Sequence, residues 1–561
     1  MSPSLAISKA TSQYHHVSSS TIFDACQNAK MNVAAKVGSI PAAAVEMVAP
    51  EPREAPPEPP SASWKRRIII FAFWAVVVVL GLPHWIWTTS IHRSELPIES
   101  MNAWSEGKVC QIHYPITIQI AGGDGQRALA NDVADILDTQ NNFPLFKLNV
   151  TTDKVDEPAL MVNVQADSKA KSSSSSLRAW EPVMDITHNP ARAVDKSTLP
   201  LFVANEIGAV FKMEKDTMAY LAQDTPFPPT GRRHDIHPAA RSDLDARATR
   251  AFRYASSYHL TFSLFTSGAT PSTWDVEQAL EDYIRPLLNR MSPISQFTID
   301  TQVQLFASFS PSIAGPHYDE ASKEWKLERS DLSGFINAAE WPLSPSIGAG
   351  PTINFVLYVP SEDQRPLVLA ETGGNSWLIP QWGGVQIFNP SKKRANILTA
   401  DDLKPVMLTF AEQLSSLLGL PPAPRSLALC LSALTRERAA SLIMSASSTL
   451  GALARLSLKL ESIAIPDSVA KSVDETIHRL DEACNDLKAG RYQSALQNAR
   501  IAESEAETAF FEPSMVGQVY FPDEHKVAVY VPLLGPMAVP LVMAALKEIK
   551  KLRERGKRKT A

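Results

Sequence analysis

The chain has 561 residues, well beyond the roughly 250–300 residues over which a single hydrophobic core usually grows, so more than one domain or subdomain is expected. Hydrophobic residues make up 45% and charged residues 20%, as in folded proteins, and a formal charge of −5 excludes a broad electrostatic affinity for nucleic acid. Cys26, Cys110, Cys430 and Cys484 are the four cysteines, too few for a disulfide framework and without a CxxC pair for zinc.

Residues 1–67 read as a cytosolic tail, disordered to about residue 60 because Ala, Ser and Pro dominate without apolar periodicity and closed by Trp64-Lys65-Arg66-Arg67. Residues 68–87 (IIIFAFWAVVVVLGLPHWIW) are apolar for long enough to match a hydrocarbon core of about 30 Å, with tryptophans suited to its interfaces. A second such run occupies 527–546 (VAVYVPLLGPMAVPLVMAAL), and 547–561 forms a basic cytosolic tail. Lys65, Arg66 and Arg67 before the first run and eight Lys/Arg between Lys547 and Lys559 after the second place both ends in the cytosol by the positive-inside rule. The intervening part then faces the lumen of the endoplasmic reticulum or a compartment beyond it. Asn149-Val150-Thr151 in that part is a glycosylation acceptor sequence.

The fold expected is a mixed α/β luminal domain with a helical C-terminal part, flanked by two transmembrane helices. In residues 92–240 an alternating strand at Val109–Ile120 is followed by a glycine turn at Gly122–Gly125 and a helix at Arg127–Thr139, and Ala159–Val164 and Leu199–Val203 read as short buried strands. Lys169–Ser176 and Thr225–Pro238 read as loops. Residues 241–398 read as a second α/β subdomain: a helix from Asp243 to about Ala255, strands at Tyr258–Phe265 and Phe297–Phe309 around an amphipathic helix Trp274–Arg290, then strands at Thr352–Val359, Leu367–Leu369 and Val385–Phe388. Residues 399–526 read as helical, with segments Asp401–Leu420, Ser426–Ser445, Leu450–Ile463, Pro466–Leu487 and Arg491–Phe511, the last two forming a hairpin that turns at Gly490.

No pattern of catalytic chemistry emerges. Cys110, Cys430 and Cys484 can form at most one internal bridge, and their spacing does not choose it. Nothing brings them next to His113, His188, His259 or His317, and none sits in a context that activates a thiol. His234 and His237 are three apart in a proline-rich loop without a third metal partner, and Asp243-Leu244-Asp245, an acidic pair of the kind that holds metal–nucleotides, falls where a helix start favours acidic residues anyway. GxSxG, HExxH, phosphate-loop and dinucleotide fingerprints are absent. No catalytic, cofactor or metal residue is therefore assigned. Lys557 and Lys559, five and three positions from the last residue, match a dilysine retrieval signal or a basic flank attracted to anionic lipid.

Three stretches carry a resemblance: Asn354–Pro360 (NFVLYVP), Ser376–Asn389 (SWLIPQWGGVQIFN), and Tyr520–Leu546 with its FPDEHK. They are similar to the PIG-S family, the S subunit of the glycosylphosphatidylinositol (GPI) transamidase, and the plan of two spans around a large luminal domain is similar too. The resemblance implies a noncatalytic subunit of an endoplasmic reticulum complex that exchanges a C-terminal signal peptide for a preassembled GPI lipid. It also implies a nucleophile on another subunit, and partners of the PIG-K, PIG-T, PIG-U and GAA1 types. Pro380-Gln381-Trp382-Gly383-Gly384 is the most specific part of the match, read as an internal turn or a subunit contact. Pro532, Pro536 and Pro540 weaken an isolated helix and mark a face for packing against partner spans. A stand-alone membrane-anchored luminal enzyme, a peptidase or glycosyltransferase, is the competing reading; a tether or chaperone-like binding protein is a third.

Overall fold

The computed structural model describes residues 59–81, 83–84, 87, 92–110, 112–121, 125–191, 193–223, 236–307, 314–335, 350–390, 396–460, 463–516 and 523–560. The N-terminal tail before residue 59, residues 122–124 of the expected glycine turn, and His234 with Asp235 lie outside them. The chain divides into two compact units, Met1–Ile86 with Val531–Ala561, and Trp87–Tyr530.

In the first unit, helix α1 (Pro60–Ala75) begins with proline at its first position, where a missing N–H costs nothing, and continues as a π-turn over Val76–Gly81. Ile69, Phe71, Val79 and Leu80 are exposed, so the apolar surface of this helix is not buried within the protein. The C-terminal helix runs through Asp523–Thr560 with Pro532, Pro536 and Pro540 inside it.

In the second unit, helix α2 (Ile98–Ser105) leads into a five-stranded sheet. Its strands are β1 (Tyr114–Ala121), β2 (Phe146–Thr151), β3 (Leu160–Ala166), β4 (Ser174–Leu177) and β5 (Val183–His188), in the order β2-β1-β3-β5-β4. All neighbours are parallel except β4, which pairs antiparallel with β5. The run expected to be a loop thus supplies an edge strand from Ser174 onward, because β5 offers an unpaired edge that even serines can satisfy through their backbone. Along β1, Tyr114, Ile116, Ile118 and Ile120 are buried while Pro115, Thr117 and Gln119 are half-buried. Helices α3 (Gly125–Gln140) and α4 (Ala193–Gln223) pack together. Leu199–Val203 is part of α4 and not a strand: Val203, Ile207, Phe211 and Met218 are buried at helical spacing, a period that five apolar residues read alone cannot display.

Helix α5 (Pro238–Arg250) starts earlier than expected and places Asp243 and Asp245 in its second turn, where Asp245 accepts from the Tyr220 hydroxyl. His237 caps it, Nδ1 accepting from Ala239 N–H. A second sheet follows: β6 (Ser257–Thr266), then β8 (Gln296–Gln304), β11 (Thr352–Val359), β13 (Ser376–Ile379) and β14 (Gly383–Ile387), ordered β13-β14-β11-β6-β8 and parallel except for the β13–β14 hairpin. Between β6 and β8 runs helix α6 over 276–291, its middle turn Leu280–Ile284 widened to π geometry. Short strands β7 (Thr273–Trp274) and β15 (Ile397–Leu398) pair, as do β9 (His317–Asp319), β10 (Glu324–Leu327) and β12 (Leu367–Leu369).

Strand β11 is buried on both faces, as a central parallel strand is when layers cover each side. Ile353, Phe355, Leu357 and Val359 join the main core, whereas Val356 and Tyr358 join a second cluster with Phe265, Val385 and Ile387. Phe262, Phe355 and Phe410 tie sheet to helix α7 (Ala400–Leu417), the Phe262–Phe355 and Phe355–Phe410 ring centroids both 5.1 Å apart. Such pairs each contribute about 0.5–1.5 kcal/mol beyond area burial.

The rest of the unit is helical. Ser426–Ser445 and Leu450–Ile463, expected as two helices, form one, α8 (Leu427–Lys459). Just after the start of the second expected segment, Gly451 lets another element approach: a Cβ there would lie 2.4 Å from Ser105 Cβ of α2. This helix is also long and apolar enough to span a bilayer, with mean hydropathy 1.2 over its best 18 residues, but 56% of that window is buried within the protein. Helices α9 (Asp467–Lys488) and α10 (Tyr492–Phe510) form a hairpin, with Gly490 at φ +76° in its turn.

Candidate functional site

The turn 380–384 carries the most specific part of the sequence pattern, and it links β13 to β14. Gln381 adopts φ 53°, which turns its backbone N–H to donate to Arg250 carbonyl at 3.1 Å, while its Nε2 donates to Thr249 carbonyl at 3.2 Å. The last carbonyls of a helix have no intrahelical partner, so one glutamine closes the end of α5 twice over. Trp382 is half-buried against the second core cluster, and its carbonyl accepts from Asn354 N–H of β11 at 3.0 Å.

The two glycines are required by close approach. A Cβ on Gly383 would fall 1.8 Å from the Asn354 carbonyl oxygen, and one on Gly384 would fall 1.9 Å from Gln413 Oε1 of α7. Gln413 in turn donates to Trp377 carbonyl at 3.1 Å. Gly383→Ala has only backbone to displace and is expected to lower stability by about 2 kcal/mol; Gly384→Ala meets a side chain that can move and should cost less. Denaturant midpoints of the two variants check the order.

The two buried ion pairs were not anticipated. Both start from neighbouring residues of α8. Arg436, 2% exposed, holds both carboxylate oxygens of Glu214 on α4, the second at 2.8 Å, and its guanidinium lies 5.0 Å from the centre of the Tyr492 ring. Burial pushes the Arg436 pKa down, but attraction to Glu214 and its hydrogen bonds outweigh that and hold it above the usual value. Glu437 pairs with Arg247 of α5, whose Nε also donates to Gly419 carbonyl at 2.8 Å. The signal in the sequence was Arg436-Glu437-Arg438, a charged cluster in the middle of a long, largely apolar helix, where charges that become buried persist only when paired.

Cys110, just before β1, is bonded to Cys484 of α9, with Cα atoms 6.0 Å apart. Cys430 is buried, donates to the carbonyls of Pro421 and Pro424, and has its thiol pushed up to about 11 by desolvation. All three sulfurs therefore have structural surroundings. His259 sits beside Thr298 and Asp300 at the start of the second sheet. Among the described residues no group of three His, Cys, Asp or Glu is placed to hold a metal.

The segment following the first apolar run is fastened to the helical part at several points. His92 and Ser94 bind Asp467, Ser94 N–H donates to Ile465 carbonyl, and Arg93 donates to Leu460 carbonyl at 3.0 Å. With the disulfide, these contacts join the beginning of the second unit to the hairpin near its end.

Asn149 lies on β2, the edge of the first sheet, half-buried and lining a cleft of about 1090 Å³. One wall is the half-open face of that sheet and the other is α8 with the turn between α9 and α10, so Asn149 and Arg436 border the same space. A smaller cleft of about 340 Å³ lies between α3 and α4 and includes Asn141, Asn205 and Lys215.

In the first unit, Arg66 and Arg67 both pair with Glu548, at 2.8 and 2.9 Å. Pro532, Pro536 and Pro540, four apart on one helix, are all exposed. The backbone is helical at Lys557 and Lys559. The structure thus gathers the members of the 380–384 turn at the end of α5, the prolines on one helix of the first unit, and Asn149 on the edge strand β2 of the second.

The family model for "Phosphatidylinositol-glycan biosynthesis class S protein" matches residues 72–555. A human protein named GPI-anchor transamidase component PIGS is 29% identical over 543 residues, covering 86% of this chain and 94% of that protein. The GPI transamidase component PIG-S homolog of Schizosaccharomyces pombe is 29% identical, covering 87% and 85%. GPI transamidase component GPI17 of Saccharomyces cerevisiae is 24% identical, covering 88% and 93%.

Proposed function

Because the chain belongs to the phosphatidylinositol-glycan biosynthesis class S family, we propose that it is a component of the GPI transamidase complex, noncatalytic, anchored in the endoplasmic reticulum membrane. The family match over residues 72–555, with relatives covered over most of their own length, carries this reading. Partners are subunits of the PIG-K, PIG-T, PIG-U and GAA1 types, with the nucleophile on the first of these. The surroundings of Cys110, Cys430 and Cys484 support a supporting role, since none is an activated thiol.

The division of labour along the chain is two transmembrane helices at 68–87 and 527–546 and a luminal part at 92–526. Two observations favour it. A disulfide persists in an oxidising compartment, and the Cys110–Cys484 bond favours a luminal Trp87–Tyr530. Arg66 and Arg67 immediately precede the first apolar run and Glu548 closely follows the second, so their ion pairs favour those two ends lying on the same side of the bilayer. The basic flanks support the same reading, with both termini in the cytosol and Lys557 and Lys559 as a retrieval signal.

The face bearing Pro532, Pro536 and Pro540 packs against partner spans. Replacing the three with leucine is expected to leave membrane insertion intact and to reduce partner recovery severalfold in affinity purification from mild detergent; unchanged recovery removes this role. Purification of the unaltered chain followed by subunit identification tests the complex itself, with depletion expected to lower GPI-anchored proteins at the cell surface. An isolated chain with peptidase or glycosyltransferase activity would instead support a stand-alone enzyme.

A further inference from the structure

We propose that Asn149 carries an N-linked glycan whose first sugars lie in the cleft between the half-open face of the first sheet and the turn joining α9 and α10. This rests on the luminal placement of the second unit. Asn149-Val150-Thr151 has the acceptor pattern, and its strand β2 is an edge strand, paired only with β1. Phe146, Leu148 and Val150 belong to or pack on the main core, which turns Asn149 to the other face of the sheet, beside its register partner Thr117. The Asn149 carboxamide makes no hydrogen bond to the described residues, although it lines a cleft of about 1090 Å³. That exceeds the roughly 300–1,000 Å³ typical of small-molecule sites.

The opposite wall suits a sugar. The turn 488–494 presents Lys488, Arg491, Gln493 and the single aromatic side chain among the lining residues, Tyr492. It is held in shape by Asp486, which accepts from Arg491 Nε at 2.8 Å and from Ser494 Oγ at 2.5 Å, and by the Tyr492 hydroxyl, which donates to Pro115 carbonyl at 2.8 Å. Sugar hydroxyls find charged and amide partners there without requiring the turn to move.

Attachment needs a lipid-linked oligosaccharide as co-reactant. The Asn149 carboxamide nitrogen displaces the polyprenyl pyrophosphate from C1 of the first N-acetylglucosamine; the C1–O bond breaks, the C1–N bond forms, the pyrophosphate departs with the electron pair and the amide proton passes to a base of the transferring enzyme. No electron donor or acceptor is involved.

The full chain is expressed in eukaryotic cells, isolated in mild detergent and treated with an amidase that cleaves the asparagine–glycan bond. The denatured wild-type chain is expected to lose mass, Asn149→Gln and Thr151→Val to show no loss, and Thr151→Ser to keep it. Release from the folded chain is expected to be about tenfold slower than from the denatured chain, because the bond is reached only when the cleft opens. Amide exchange across 488–494 should be faster in Asn149→Gln than in wild type. No mass loss in wild type, a loss that persists in Asn149→Gln, or equal exchange across 488–494 overturns the proposal. Thiol labelling of the same preparation separates the causes. If Cys110 and Cys484 are bonded and no glycan is present, the luminal placement stands and the glycan falls; if they are free thiols, the luminal placement falls and takes the glycan with it.

Discussion

Replacing Cys110 and Cys484 together by alanine is expected to destabilise the second unit by about 2–5 kcal/mol, the usual effect of losing a native disulfide. The two residues are 374 positions apart, so in the unfolded chain the bond closes almost the entire unit into a loop. Its stabilisation comes mainly from that restriction, and alanine fills most of the buried space without introducing an unpaired polar group. The bond also has a local consequence. Cys110 precedes β1, an interior strand of the first sheet, and Cys484 sits in the α9–α10 hairpin, so its loss should loosen the hairpin before the second sheet. The denaturant midpoint of the full chain in mild detergent, with and without reductant, reads the first effect; amide exchange of α9 and α10 reads the second. Reductant should bring wild type to the midpoint of the double variant and leave that variant unchanged. A wild-type midpoint insensitive to complete reduction would show that the cross-link restricts nothing the rest of the fold does not already hold.

Arg436→Met is expected to cost about 3–5 kcal/mol, because it leaves Glu214 buried without its counter-charge. The Glu214 side chain is 6% exposed and both of its oxygens are engaged by Arg436, so no water replaces the lost donors without opening the contact between α4 and α8. Glu214→Leu alone leaves a buried guanidinium with only the Tyr492 ring beside it and should be comparably severe. The double variant Arg436→Met/Glu214→Leu removes both charges, and its loss should be much smaller than the sum of the single losses. A chemical-denaturation cycle on the four chains measures that coupling. Additive losses would mean that the pair is solvated in solution. The same cycle has a functional reading: a destabilised α8 should reduce recovery of transamidase partners in proportion to stability, and the double variant should restore it.

Much of the second unit could be read from local pattern. Tyr258–Phe265 and Thr352–Val359 are strands because continuous runs of β-branched and aromatic residues bounded by turns suit a parallel sheet covered on both faces. The α9–α10 hairpin follows from apolar residues at three-to-four spacing broken by Gly490. Where the pattern was short it misled: five apolar residues at Leu199–Val203 fit a strand and a helix equally, and the missing information lay in Ile207, Phe211 and Met218 further along. The small residues at 446–449 read as a break on propensity alone, whereas the helix continues through them and meets α2 closely at Gly451. The 380–384 turn stood out as a pattern, but its work on the carbonyls of Thr249 and Arg250 depends on a helix 130 residues earlier.

Composition, charge order and apolar length are enough to read a chain with two membrane-length runs flanked by positive charge and a mixed α/β middle followed by helices; the family is carried by the specific stretches 354–360, 376–389 and 520–546 and shown by the family match over residues 72–555. These are local or summed properties, and neighbouring residues carry them. The three-dimensional fold is what shows which cysteines bond, that Arg436 is buried and paired and half-buried Glu437 is paired, that Glu548 meets Arg66 and Arg67, and that Asn149 opens onto a cleft. Each of these depends on residues far apart in sequence being brought within a few ångströms, and neither the period nor the composition of a segment records its distant neighbours.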